Sequence, residues 1–75
     1  MNKFEKSFPK LPERYRLLRV TCAGTTEAYD VLEHSSHVCM IGKVGKHWFV
    51  GHNTLGNTPH GSAADAVEAW NGRIR

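Results

Sequence analysis

Apolar residues alternate with polar ones through the middle of this chain and switch to a helical spacing only near its end. In the closing segment Ala63, Ala66, Val67 and Trp70 fall at i, i+3, i+4 and i+7, the stripe of one helix face, while Asp65 and Glu68 point away from it. Ser62 is suited to cap this helix, Asp65 follows three residues on as in a capping box, and Gly72 is placed to end it in a left-handed conformation. A helix of about ten residues is marginal alone in water, so the rest of the chain must supply an apolar surface for it.

That surface is read from the strand-like segments. Val38 to Val44 and His47 to His52 flank Gly45-Lys46, with glycine first as a type II′ turn requires. The turn fixes a register: Val44 opposes His47, Lys43 faces Trp48, Gly42 faces Phe49, Ile41 faces Val50 and Cys39 faces His52. Phe49 then lies across Gly42 and compensates for the missing side chain. One face of this hairpin carries Val38, Met40, Val44 and Phe49, and the other carries Cys39, Ile41, Val50, Lys43 and Trp48. The helix covers only one of them, which leaves the second for the N-terminal arm or a partner. Two further strands, Tyr15 to Cys22 and Glu27 to Glu33, are joined through Ala23-Gly24-Thr25-Thr26, and Ser35 and Ser36 break the pattern after them. Asn53 to Gly61 is a loop long enough to return the helix across the sheet.

Residues 1–13, with Pro9 and Pro12 and the isolated apolar side chains Phe4, Phe8 and Leu11, read as an extended arm. Residues 14–75 then form a single α+β domain: a small antiparallel sheet of three to four strands with one C-terminal helix packed on one face. A chain of 75 residues has a small core, which argues against a spacious enclosed active site. It shows no membrane-spanning run and no apolar segment of a secretory signal near Met1, so a cytoplasmic location, in a host cell, is expected.

The net charge of +3 is unevenly spread. Through Arg19 the basic residues Lys3, Lys6, Lys10, Arg14, Arg16 and Arg19 oppose only Glu5 and Glu13, whereas Glu27, Asp30 and Glu33 make the next strand acidic. Such polarity favours encounter with phosphates or an acidic protein surface.

Catalytic chemistry is sparse. The candidate metal ligands Cys22, His34, His37, Cys39, His52 and His60 contain no CxxC or HxxxH pair, so no metal or other cofactor is expected. Cys39 opposite His52 is the one nucleophile-and-base arrangement, and cross-strand pairs of this kind are usually packing. No glycine-rich phosphate loop or paired carboxylates are present, and the protein is expected not to be an enzyme.

A binding role ranks higher. Trp48 beside Lys43, with Lys46 and His47 at the hairpin tip, makes an aromatic and basic patch, to which Arg14, Arg16 and Arg19 add charge. Trp48 fits a core position equally well. The ending Ala64-Asp-Ala-Val-Glu-Ala-Trp-Asn-Gly-Arg73 resembles the terminal helix of small phage restriction-alleviation proteins. Their zinc-ribbon cysteines have no counterpart here, so the likeness implies no metal. Ile41 to Gly51 and the following helix also resemble AP2 or phage-integrase arm-type DNA-binding domains, whose sheet face opposite the helix enters the major groove. That resemblance implies DNA contacts from Lys43, Trp48, Arg16 and Arg19. Together these features lead us to expect a phage-type accessory protein that binds and blocks a host nucleic-acid-processing or defence complex, of restriction or CRISPR type. A small DNA-binding module using the sheet face and basic arm is the alternative.

Overall fold

A computed structural model describes residues 9–73. Four strands, β1 (Tyr15–Val20), β2 (Glu27–Glu33), β3 (Ser36–Val44) and β4 (His47–Gly51), form one antiparallel sheet in the order β1-β2-β3-β4, followed by α1 (Ala63–Arg73). The α+β arrangement expected from the sequence is therefore present. Phe4, Phe8, Lys3 and Lys6 lie outside the described residues, while Leu11 of the arm packs against the core. No helix among the described residues is long and apolar enough to cross a membrane.

The β3–β4 hairpin has the register set by its turn, with Val44 opposite His47, Lys43 opposite Trp48, Gly42 opposite Phe49 and Ile41 opposite Val50. Gly45 takes φ of 63°, and Lys46 is not in the left-handed region, as a type II′ turn requires. The ladder ends at Met40 and Gly51, so the expected Cys39–His52 pairing does not form.

The β2–β3 connection is tighter than the sequence suggests. Glu33 pairs with Ser36, which leaves His34 and Ser35 as a two-residue turn with φ of 53° and 69°. Both values are positive, the signature of a type I′ turn built here without glycine. The register also slips between Val31 and Leu32: Val31 faces Cys39 but Leu32 faces His37, which leaves Val38 as the extra residue of a bulge. Val38 consequently packs against the core with Cys39 rather than sharing a face with Met40.

Helix α1 begins as expected, with the Asp65 amide donating to Ser62 Oγ at 3.1 Å. Ala63, Ala66 and Val67 are buried, and Trp70 packs beside them. Gly72 does not end the helix, which continues to Arg73, and it has no positive φ. No neighbour lies within 4 Å of the position its Cβ would take, so nothing forces the chain to turn there.

The helix lies on β3 and β4, with Asn71 reaching the Tyr15 hydroxyl of β1 at 2.6 Å. Tyr29, Val31, Cys39, Ile41, Trp48 and Val50 form the core beneath it. The reverse face is not left bare. A Cβ on Gly42 would lie 2.7 Å from Leu55 Cδ1 and 2.9 Å from Thr25 Cγ2, so the shallow row Ala28–Gly42–Phe49 is filled by these two side chains. Leu55 and Thr25, and not Phe49 alone, occupy the space at Gly42. The loop that carries Leu55 also closes the outer edge of β4. Trp48 exchanges backbone bonds of 2.8 Å with His60, and the Gly56 amide donates to the Val50 carbonyl at 2.9 Å.

Candidate binding surface

The proposed contact residues are divided between the two ends and two faces of the sheet. Trp48 is buried, with 8% of its surface exposed, inside the cluster that includes Ala63, Ala66 and Val67. This corrects the expectation that its ring faces a partner: the side chain that alternation aligns with Ile41 and Val50 belongs to the face the helix covers. The same alternation places Lys43 there, with its ammonium 5.9 Å from the Trp48 ring centroid. Arg19 lies likewise 5.9 Å from the ring centroid of Tyr29, which neighbours Trp48 at 6.4 Å. Arg19, Tyr29, Trp48 and Lys43 thus make a band of cation, two rings and cation along the margin of the core. The DNA-facing set implied by the AP2 likeness is divided accordingly, because Lys43, Trp48 and Arg19 lie on the helix side and Arg16 on the reverse.

Lys46 and His47 are exposed at the β3–β4 tip. Arg14 and Arg16 stand at the far end of β1, across a sheet whose outer strands are about 14 Å apart. The structure does not gather these seven residues into one patch. Arg14 is occupied locally. Its Nη2 donates to the Tyr15 hydroxyl at 3.1 Å, its Nε is 3.9 Å from Glu33 Oε2, and its guanidinium stacks over the Tyr15 ring at 4.8 Å. The Tyr15 hydroxyl raises the Arg14 pKa above its ordinary value. Glu13, Arg14, Arg16, His34 and Ser35 line an open depression of about 490 Å³.

The nucleophile-and-base pair expected on β3 and β4 is not assembled. Cys39 is fully buried, and burial, aided by the charge of Asp30, pushes its thiol up to about 12. A thiol held neutral in this way is no nucleophile near neutral pH. His52 does not face it; the His52 ring meets that of His37 edge-on at 5.1 Å, and His37 Nε2 lies 3.1 Å from Asp30 Oδ1. No group of three or more metal-ligating side chains comes together among the described residues. A cleft of about 220 Å³ at the end of β1 is lined by Arg19 to Cys22 and Thr25 to Ala28 and contains no such cluster.

What the sequence reading missed is the reverse face of β1. Leu18 is 58% exposed there, between exposed Arg16 and half-buried Val20, and Val44 near the tip is 44% exposed. The signal available was the pair Leu17-Leu18, two adjacent apolar residues of which a strand can bury only one against a single core. Compared with known protein families, curated proteins and solved structures, the chain matches none.

Proposed function

We propose that the chain is a non-enzymatic accessory protein of phage type that binds and blocks a host nucleic-acid-processing or defence complex, of restriction or CRISPR type. The observation that carries this reading is Leu18, 58% exposed on the reverse face of β1 beside exposed Arg16. Arginine is enriched at protein interfaces, and an apolar side chain left exposed beside it gains by being covered. The groups that resemble catalytic ones support it from the other side, since Cys39 is sealed and His52 is turned to His37. The class of target is proposed on the likeness of Ala64 to Arg73 to the terminal helix of restriction-alleviation proteins.

The test is a pull-down from host lysate with the full chain and with Leu18→Asp, run beside a titration of bare duplex DNA at low salt. Recovery of a restriction or CRISPR component by the wild-type chain, lost with Leu18→Asp, is the expected result. Tight duplex binding with no recovered protein would overturn it in favour of the DNA-binding alternative. In that case each phosphate contact should add nearly one unit to the slope of log affinity against log salt.

A further inference from the structure

The two outer edges of the sheet differ. Along β4 the N–H and C=O of Trp48 are taken up by His60, and the C=O of Val50 by the Gly56 amide. In an antiparallel ladder, successive residues alternate between bonding inward and bonding outward. The outward positions on β4 are therefore Trp48, bonded through both its N–H and C=O, and Val50, whose C=O accepts from Gly56.

On β1 the same alternation is anchored by Tyr15, whose amide donates to the Pro12 carbonyl at 3.0 Å instead of to β2. Tyr15 is an outward position, and so are Leu17 and Arg19. Among the described residues, no backbone bond off the sheet engages Leu17 or Arg19. The β1 edge thus presents the N–H and C=O of two residues in strand geometry, the pattern that templates a further strand.

Charge decides what can pair there. A second copy is a poor occupant. Antiparallel self-pairing must match outward residues with outward residues, which allows registers centred on Arg16, Leu17, Leu18 or Arg19. The registers centred on Arg16 or Arg19 set a guanidinium against its own copy. Those centred on Leu17 or Leu18 give no arginine an acidic residue across the new ladder. Like charges directly opposite are unfavourable, whereas opposite charges and apolar pairs stabilise. Arg16 and Arg19 lie three apart on opposite faces, with Leu17 and Leu18 between them. The complementary strand therefore reads acid, apolar, apolar, acid.

We propose that the β1 edge is a docking site for an extended acidic segment of a partner protein, which adds as a fifth strand beside Leu17 and Arg19 and sets its carboxylates against Arg16 and Arg19. This rests on the binding role proposed above and specifies its mode. The segment's own N–H and C=O groups supply the affinity, and the two arginines select it.

The test uses a capped synthetic octapeptide, Thr-Thr-Glu-Val-Val-Glu-Thr-Thr, with the full chain labelled for amide NMR. The expected result is saturable binding that shifts the Leu17 and Arg19 amides and slows their hydrogen exchange. Replacing both glutamates by lysine, or N-methylating the peptide at the bonding positions, should each weaken binding about tenfold or more. The double variant Arg16→Glu with Arg19→Glu should reverse the preference toward the lysine peptide; both side chains are exposed, so the fold is retained. Equal binding of the N-methylated peptide, or shifts confined to the Gly45-Lys46 tip, would overturn strand addition. So would a concentration-dependent dimer that protects the Leu17 and Arg19 amides, since a second copy would then be the occupant. If the peptide fails while lysate capture still depends on Leu18, the docking mode is wrong and the broader reading survives; if both fail, the broader reading falls too.

Discussion

Among the glycine substitutions, Gly51→Ala is expected to have the largest effect. A Cβ at this position would run into the Thr54 carbonyl, with its carbon 2.8 Å away and Leu55 Cα at 3.1 Å. All three obstacles are backbone, so no rotamer change makes room. The loop must lift away, and three losses follow. Displacing packed backbone costs about 1–3 kcal/mol. Breaking the Gly56–Val50 bond costs about 1 kcal/mol. Withdrawing half-buried Leu55 from Gly42 costs about 1 kcal/mol more. The sum is about 3–5 kcal/mol, against a total stability of about 4–11 kcal/mol for a chain of this length. Two further glycines calibrate the measurement. At Gly42 the nearest atoms are the ends of Leu55 and Thr25, at 2.7 and 2.9 Å, which can rotate aside, so Gly42→Ala should cost only about 1 kcal/mol. Gly72 lies in the helix with open space around it, so Gly72→Ala should gain up to about 1 kcal/mol. Urea unfolding followed by tryptophan fluorescence should rank Gly72→Ala above wild type, then Gly42→Ala, then Gly51→Ala. A Gly51→Ala protein within about 0.5 kcal/mol of wild type would refute the close approach of the loop, and with it the closure of the β4 edge.

Two other outcomes follow from local geometry. Ser35 holds φ of 69° in a type I′ turn where glycine is favoured, so Ser35→Gly should raise stability by about 0.5–1 kcal/mol in the same assay; a loss would show that the turn has another geometry. Tyr29 is pushed up to about 12 by burial and by its hydrogen bond to Glu27, and Cys39 is raised to about 12 by burial and by Asp30. The unfolded chain releases these protons near their ordinary values of 10 and 9, so both contributions are complete below pH 9 and are lost as pH rises toward 12. Urea midpoints should therefore fall over that interval, and Tyr29→Phe should flatten the fall above pH 10; an unchanged slope would remove Tyr29 as its source.

The parts of this fold that were legible in the chain are those whose cause is local. Gly45-Lys46 sets the β3–β4 register because a glycine-first turn admits few geometries, and Ser62 starts α1 because its hydroxyl meets the Asp65 amide. The illegible parts have distant causes. Nothing in His34-Ser35 marks a type I′ turn, since neither residue is glycine and the turn is imposed by the strands on either side. The bulge at Val38 is settled by what the two strands must bury, not by the residues beside it. Trp48 is the instructive case. Its pairing with Lys43 follows from the turn, but the side of the sheet it faces depends on Tyr29 and Val31, two strands away in sequence terms yet joined to it through the row Tyr29–Ile41–Val50. Carrying the alternation of β2 across that row places Trp48 under the helix. The same procedure, applied to β1, assigns Tyr15, Leu17 and Arg19 to the covered side and leaves Arg16 and Leu18 outside. The candidate binding surface is thus what remains once the strongest aromatic residue has been claimed by the core, and the proposal rests on the leucine that the core had no room to cover.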